Sequence, residues 1–351
     1  MKTITMAGLG SIVAGVLLAA AAQAQPGSRN PPLMACGKQG EADIICGARA
    51  PEDFEVTPDG KFLIVGKMMK GENTGFDLFD LAAQKFAVLP LESEAKAGWG
   101  EANCKSDVNK EIAPHGISLA KRTSGEWQLF VVNHTGREAM EMYELKPAGA
   151  SWKLVWHGCV MADKAYNDVA GRADGGFVAT RPQAIQKEGQ DLFKGEPSGN
   201  VAVWKPGATE QVLPGTEIGY PNGVVLSKDG RYAYISGWTS KSLHQYDLMA
   251  KKEVKKTPLS FMPDNITWTA HNTMLVAGIQ NINGNCPATS EIPCLQGFGV
   301  AEIDPATLSA RMVHDITGKA WITGVATAIE AGGSIYVGAF QGDRIVKLPR
   351  K

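Results

Sequence analysis

The stretch IAPHGISLAKRTSGEWQLFVVNHTGREAMEMYEL, residues 112–145, decides the fold. Its Thr123-Ser124-Gly125 turn separates two runs that are rich in apolar and β-branched residues. This pattern predicts an antiparallel hairpin of strands at 114–118 and 127–133. A third strand is expected at 140–145. The stretch therefore predicts one compact antiparallel unit.

Two histidines lie at the ends of the predicted hairpin. His115 is at the start of the first strand, and His134 directly follows the second strand. These two strand ends are neighbours in an antiparallel hairpin. We therefore expect the two imidazole rings to lie close together.

The strand–turn–strand unit occurs six times, with Gly-rich turns such as Lys228-Asp229-Gly230. The other five copies are at residues 54–66, 169–180, 221–237, 265–278 and 323–338. Each copy is followed by a further strand. This spacing predicts an all-β, six-bladed β-propeller with four-stranded blades around a central tunnel. A β-sandwich is the alternative, but it does not predict six matching units.

The composition and the N-terminus indicate an exported protein. Of 351 residues, 35 are Lys or Arg and 36 are Asp or Glu. This balance, without blocks of like charge, gives no indication of a nucleic-acid partner. Residues 1–24 have Lys2, an apolar run and an Ala22-Gln23-Ala24 cleavage pattern, which predict a signal peptide. A retained anchor helix is the alternative. We expect a secreted or periplasmic protein with one mature domain at 25–351 and no membrane span.

Export permits disulfide bonds, and the chain has six cysteines. Two pairs are favoured because each would close a short loop, and the two remaining cysteines then form the third pair. Fifteen pairings are possible on paper. The favoured pairs are Cys36–Cys46 and Cys286–Cys294, which leave Cys104–Cys159.

The start of each inner strand is expected at one mouth of the tunnel. The residues at these positions are Glu52-Asp53, His115 and Ile117, Asn167-Asp168, Asn222, Asp264-Asn265 and, in the sixth unit, Thr323. Asp and Asn usually serve as turn residues at strand starts. Because Asp and Asn recur at the same position of successive repeats, they predict a ring of oxygen donors instead. Hard oxygen donors without a zinc-type Cys/His set favour Ca²⁺.

Asp53 and Asp168 are each adjacent to a predicted ligand. Neighbouring side chains in a strand point in opposite directions. We therefore predict a second, buried Ca²⁺ ion at these two aspartates, with the backbone carbonyl of Ile117. A pair of hydrogen-bonded structural aspartates is the alternative.

At these residues the chain resembles the paraoxonase/arylesterase family, within the wider regucalcin–gluconolactonase propellers. The matching stretches are Glu52-Asp53, PHGIS at 114–118, VVNH at 131–134, Asn167-Asp168, Pro221-Asn222-Gly223 and Asp264-Asn265. The resemblance implies a calcium-dependent hydrolase of lactones and aryl esters, with one catalytic and one structural ion. The implied ligands of the catalytic ion are Glu52, Asn167, Asn222, Asp264 and Asn265. Those of the structural ion are Asp53, Ile117 and Asp168.

The chain departs from the animal members of that family, which join their N- and C-terminal strands by a disulfide. No cysteine follows Cys294 here. Ring closure must therefore depend on strand pairing, or on Cys36 reaching elsewhere. The segment 280–297, closed by cysteines, is expected to overhang the site, so the natural substrate is left open.

Metal-assisted hydrolysis suits the predicted residues, since the sequence has no Gly-x-Ser-x-Gly or His-Glu-x-x-His motif. We expect His115 to deprotonate the attacking water and His134 to orient His115 or to relay its proton, with Asp264 as a second candidate base. An apolar wall for a small hydrophobic ester or lactone is expected at Met68, Met69, Tyr220 and Trp238. Two other functions stay open: a non-catalytic calcium-stabilised propeller that binds a ligand or partner, and a propeller enzyme resembling strictosidine synthase.

Overall fold

The computed structural model describes residues 33–68, 74–105, 112–280 and 297–351. The predicted signal peptide, Met69 and the Cys286–Cys294 pair lie outside these ranges. Among the described residues, no helix is long and apolar enough to cross a membrane. The helix present there is the single 3-10 turn Leu192–Lys194.

The described residues form six small sheets, as expected for a six-bladed β-propeller. The first strands of the chain are β1 (Gly37–Gln39) and β2 (Ala42–Cys46). Blade one contains β3 (Pro51–Val56), β4 (Phe62–Lys67), β5 (Gly75–Asp80) and β6 (Lys85–Val88). Blade two contains β7 (Leu91–Ser93), β8 (Pro114–Lys121), β9 (Trp127–Asn133), β10 (Ala139–Ala148) and β11 (Ser151–Met161). Blade three contains β12 (Val169–Gly171), β13 (Phe177–Arg181), β14 (Asn200–Trp204) and β15 (Gln211–Val212).

The remaining blades follow the same plan. Blade four contains β16 (Pro221–Leu226), β17 (Tyr232–Gly237), β18 (Ser242–Asp247) and β19 (Lys252–Pro258). Blade five contains β20 (Met262–Trp268), β21 (Met274–Ile279), β22 (Phe298–Ile303) and β23 (Ala310–Ile316). Blade six contains β24 (Val325–Ala331), β25 (Ser334–Ala339) and β26 (Arg344–Pro349), to which β2 and β1 are added.

The prediction of four strands in every blade is wrong for two blades. Blade two gains β7, which pairs with β11 in parallel orientation. Blade six has five strands, because β2 pairs antiparallel with β26 and β1 pairs with β2. The N-terminal strands thus close the ring by hydrogen bonds to the C-terminal strand, which confirms the strand-pairing alternative.

Two of the predicted disulfides are confirmed. Cys36–Cys46 closes the turn between β1 and β2, so Cys36 does not reach elsewhere. Cys104–Cys159 fixes the segment between β7 and β8 to β11. Both bonds restrict the unfolded chain and so stabilise the fold.

The six inner strands form the wall of the tunnel. Consecutive inner strands contact one another, and β24 contacts β3, so the ring is closed. Apolar clusters fill the space between neighbouring blades. Between blades one and two, for example, Phe76 and Tyr143 pack edge to face with ring centroids 6.0 Å apart. Each such buried side chain contributes about 1.5–3 kcal/mol.

A bulge recurs near the start of the inner strands. In β3, β8, β16 and β20 the pairing register shifts immediately after a proline, so two consecutive residues are left unpaired. In blade three the corresponding residues directly precede β12. In β24 the shift lies between Val325 and Thr327. The prediction that Thr323 occupies this position is therefore wrong: Thr323 precedes the strand and accepts a hydrogen bond from Gln341.

Candidate active site

In blades one to five, the first of the two unpaired residues at the start of the inner strand lines one cavity of about 190 Å³, which we call the upper cavity. Its polar lining residues are Glu52, His115, Asn167, Asn222 and Asp264. They come from five different blades. The bulges therefore bring these predicted residues together from positions far apart in the sequence.

The second residues of two bulge pairs line a separate cavity of about 400 Å³, the lower cavity. Asp53, Asp168 and Ile117 are among its lining residues. Asn265 lines neither cavity, and its amide nitrogen donates a hydrogen bond to Glu52 Oε1 at 3.0 Å. The eight predicted ligands are thus divided between two cavities and one bridging amide.

Several of these side chains have a buried oxygen without a hydrogen-bond partner. The atoms are Glu52 Oε2, Asn167 Oδ1, Asp168 Oδ1, Asn222 Oδ1 and Asn265 Oδ1. Burying an unpaired polar oxygen costs about 1–3 kcal/mol, so such a cluster needs a partner. A hard divalent cation accepts this mixture of carboxylate and amide oxygens. The residues present therefore fit a calcium-type ion.

The charges of the buried carboxylates also favour a bound cation. Burial raises the pKa of Asp53 to about 7 and those of Glu52, Asp168 and Asp264 well above the ordinary range. Repulsion between these carboxylates raises the last three pKa values further. No lysine or arginine lines either cavity in the described part of the chain. Four buried acids without a counter-charge favour a bound cation.

The amide oxygens are essential to this fit. Within the described ranges, no three His, Cys, Asp or Glu side chains form a group that could hold a metal ion by themselves. The asparagines must therefore contribute, which suits an oxygen-rich calcium shell better than a zinc site.

The two predicted histidines are in contact, which confirms the expectation from the hairpin. His115 Nδ1 lies 3.0 Å from His134 Nε2. The other ring nitrogen of His115 lies 3.7 Å from Glu52 Oε1 and 3.4 Å from the amide nitrogen of Asn167. Burial, with a smaller effect of His134, lowers the pKa of His115 to about 3. The His115 ring is therefore neutral at pH 7 and has one nitrogen lone pair available.

Sequence comparison places the chain in a known family. Residues 100–281, about half of the chain, match the family described as "SMP-30/Gluconolactonase/LRE-like region". The chain belongs to this family. It is also 26% identical over 227 residues to serum paraoxonase/arylesterase 1 of Mus musculus. That match covers 60% of this chain and 59% of the mouse protein, so the chain spans about three-fifths of the relative's length.

Solved structures show the same fold at low sequence identity. A luciferin-regenerating enzyme gives a TM-score of 0.52 at 13% identity, covering 88% of this chain and 95% of that one. A gluconolactonase from Xanthomonas campestris gives 0.50 at 14% identity, covering 91% and 95%. These likenesses support the propeller architecture of this gluconolactonase-family chain.

A carboxylate that the sequence pattern did not indicate lies next to the histidine pair of this family member. His134 Nδ1 is 2.6 Å from Glu138 Oε2. The two residues are four apart in the β9–β10 loop, and an irregular loop has no period that would place them together. Only the short separation of His134 and Glu138 in the sequence could have indicated that the two side chains meet.

Two glycines allow the bulge pairs of neighbouring blades to approach one another. A Cβ atom on Gly116 would lie 2.4 Å from Asp168 Oδ1, and one on Gly223 would lie 2.4 Å from the carbonyl oxygen of Asp264. Each glycine is the second residue of its bulge pair. The glycines of the Pro-His-Gly and Pro-Asn-Gly motifs are therefore required by close contact with the neighbouring blade.

An apolar wall completes the upper cavity. Met68, Tyr220 and Trp238 line it as predicted from their strand-end positions. Phe340, which the sequence analysis missed, is the fourth member. Tyr220 and Trp238 pack with ring centroids 5.3 Å apart. The cavity therefore combines polar groups on one side with an apolar surface on the other.

Proposed function

We propose that this protein is an exported, calcium-dependent hydrolase of lactones and aryl esters. The observation that carries the proposal is the upper cavity itself. Carboxylate and amide oxygens without partners converge there beside an imidazole whose Nε2 faces the same space. Membership of a family that contains gluconolactonases, and similarity to paraoxonase/arylesterase 1, support a lactonase or esterase activity.

We propose that Glu52, Asn167, Asn222, Asp264 and Asn265 hold one calcium ion, and that Asp53, Asp168 and the Ile117 carbonyl hold a second. When bound, the first ion would supply Lewis-acid polarisation of the substrate carbonyl and charge stabilisation of the oxyanion. The second would join neighbouring blades and support the fold. Calcium tolerates irregular shells of about six to eight oxygens, which suits this donor set.

The residues of the chain would then manage the proton. His115 is neutral and has its Nε2 on the cavity side, so it can accept a proton from an attacking water. His134 contacts the opposite nitrogen of the same ring and orients it. Asp264 lines the cavity as well and is the second candidate for the base.

The substrate class follows from the opposite wall. Met68, Tyr220, Trp238 and Phe340 offer apolar and aromatic surface to an acyl or aryl group. A small cavity bounded in this way favours a small hydrophobic ester or lactone. Export to an oxidising compartment is supported by the two disulfides among the described residues and by the leader-like residues 1–24.

The test is hydrolysis of phenyl acetate and of γ- and δ-lactones by the mature protein, with added calcium and with chelator. We expect turnover that the chelator removes and that calcium restores, and that His115→Gln largely abolishes. Turnover that is indifferent to both would contradict the mechanism. A calcium-dependent rise in melting temperature with no hydrolysis of any substrate would favour the non-catalytic propeller instead.

A further inference from the structure

A chain of hydrogen bonds leads from the upper cavity to solvent. It begins at His115, whose side chain is 14% exposed, and continues to His134 at 23% and Glu138 at 45%. The two contacts are 3.0 Å and 2.6 Å long. Three functional groups are thus connected in series, with the carboxylate at the solvent end.

This order fixes where the ring protons must be. An ionised carboxylate can only accept hydrogen bonds, so His134 must carry its proton on Nδ1 to donate to Glu138. With a single ring proton, placed on Nδ1, His134 has a bare Nε2 that accepts from Nδ1 of His115. His115 is consequently left with an unprotonated Nε2. The Asn167 amide N–H group, whose nitrogen is 3.4 Å away, can donate a hydrogen bond to that lone pair.

The loop that carries His134 and Glu138 is held rigidly. The Arg137 guanidinium donates to both oxygens of the buried Glu141 carboxylate at 2.8 Å and 2.7 Å. Trp156 Nε1 donates to the same carboxylate at 2.8 Å. Ala162 donates its backbone N–H to the carbonyl of Glu138 at 3.0 Å. The position of Glu138 is therefore set by the fold.

From this geometry we infer that Glu138 is a positioning residue for the hydrolysis. It fixes the tautomers of His134 and His115 so that His115 presents a bare Nε2 to the upper cavity. When a water proton moves to that nitrogen, the imidazolium charge formed on the pair faces a carboxylate at its far end. The catalytic part of this inference rests on the proposed function, whereas the tautomer part can be measured without turnover.

The chain contains a matched control for this contact. His244 Nδ1 lies 2.5 Å from Glu253 Oε2, and the Glu253 side chain is 42% exposed. The N–O distance and the exposure of the glutamate nearly match those of the His134–Glu138 pair, but this pair belongs to strands β18 and β19. Glu253→Gln therefore reproduces the loss of a surface His–Glu hydrogen bond at a distance from the upper cavity.

The experiment compares Glu138→Gln with Glu253→Gln in the calcium-loaded mature protein. We expect Glu138→Gln to lower kcat about 10- to 100-fold with little change in KM, because glutamine can donate as well as accept and no longer fixes the tautomers. Glu253→Gln should leave kcat unchanged. In ¹⁵N-histidine NMR spectra, assigned with His115→Gln and His134→Gln, wild-type His115 should be the Nδ1–H tautomer. Glu138→Gln should give a mixture.

The inference is overturned if Glu138→Gln keeps kcat within about twofold of wild type, or if the His115 tautomer is the same in both proteins. A fall in kcat without a change of tautomer also contradicts it. If the wild-type protein hydrolyses no substrate, the proposed function fails, and the NMR comparison still decides the role of Glu138.

Discussion

The upper and lower cavities are built from neighbouring residues of the same bulges, yet their carboxylates have different surroundings. In the lower cavity, Asp53 accepts the backbone N–H of Ile117 at 2.9 Å, and Asp168 accepts that of Val224 at 2.7 Å. Each of these bonds joins one blade to the next. In the upper cavity, Glu52 accepts no hydrogen bond from the neighbouring inner strand of blade two and lies beside the imidazole of His115, while its second oxygen, like Asp168 Oδ1, has no partner among the described residues. The lower acids thus join neighbouring blades by hydrogen bonds to backbone N–H groups, and we propose that the upper acids serve the chemistry.

The largest expected effect is that of Glu52→Gln, which separates a role in catalysis from a role in stability. Glu52→Gln keeps the shape of an upper ligand and removes its charge. We expect hydrolysis to fall about 10²- to 10³-fold, the usual loss when one electrostatic contribution to the transition state is removed. The melting temperature in chelator should not fall, because burial raises the pKa of Glu52 well above its ordinary range and a neutral glutamine resembles the protonated acid. Steady-state kinetics and thermal unfolding of the same preparation provide the measurement. Unchanged kinetics together with a large loss of stability would reverse the assignment of roles.

The second prediction concerns a substitution that disturbs the lower cavity without changing any polar side chain. In Gly116→Ala, the added methyl would lie 2.4 Å from Asp168 Oδ1 and 2.8 Å from the carbonyl oxygen of Asn167. Backbone atoms cannot move aside cheaply, so we expect a loss of about 2–3 kcal/mol in the free energy of unfolding. The clash should lower stability in chelator as well, and displacement of Asp168 should add a smaller stabilisation by calcium.

Gly66→Ala is the control for that substitution. It is also a strand glycine, and its nearest new contact is the Pro114 side chain at 3.2 Å. Denaturant unfolding with calcium and with chelator measures both variants. Equal effects of the two substitutions would show that the approach of Asp168 to Gly116 has no special importance.

The sequence allowed the upper cavity to be predicted where a local signal marked each bulge. In four blades a proline directly precedes the unpaired pair, as in Pro114-His115-Gly116 and Pro221-Asn222-Gly223. Proline lacks the N–H that would continue the ladder, so the register changes there. Blade six has Val325 at that position, and this is why its register was predicted wrongly at Thr323.

Other features had no local signal. The strands β1, β2 and β7 are short, and they were not predicted because their pairing partners lie far away in the sequence. Glu138 lies in a loop whose path is set by the Arg137–Glu141 ion pair. Phe340 reaches the cavity because Phe340 donates its N–H to the carbonyl of Gly324 at 3.0 Å. These are contacts of the folded chain, which periodicity alone does not contain.

The smallest expected effect is a pH dependence that belongs to the lower cavity. Burial raises the pKa of Asp53 from 3.8 to about 7, so without calcium the folded protein retains a proton that the unfolded chain has lost. The folded form binds more protons between these two pKa values, and stability must fall as the pH rises through this range. The contribution of Asp53 should level off above about pH 7, while buried acids whose pKa values are raised further, such as Glu55 at about 8, continue to titrate. We expect a loss of about 1 kcal/mol between about pH 6 and about pH 7 in chelator.

Calcium should remove this dependence, because a coordinated carboxylate has no proton to lose and its charge is balanced by the ion. Thermal unfolding with chelator and with saturating calcium, across the same pH range, makes the comparison. Asp53→Asn should give a flatter curve in chelator, since it removes the titrating group and keeps its shape. A chelated wild-type protein whose stability rises through this range would mean that the buried lower acid already has a counter-charge. In that case the contrast between the two cavities would have to be explained without a cation.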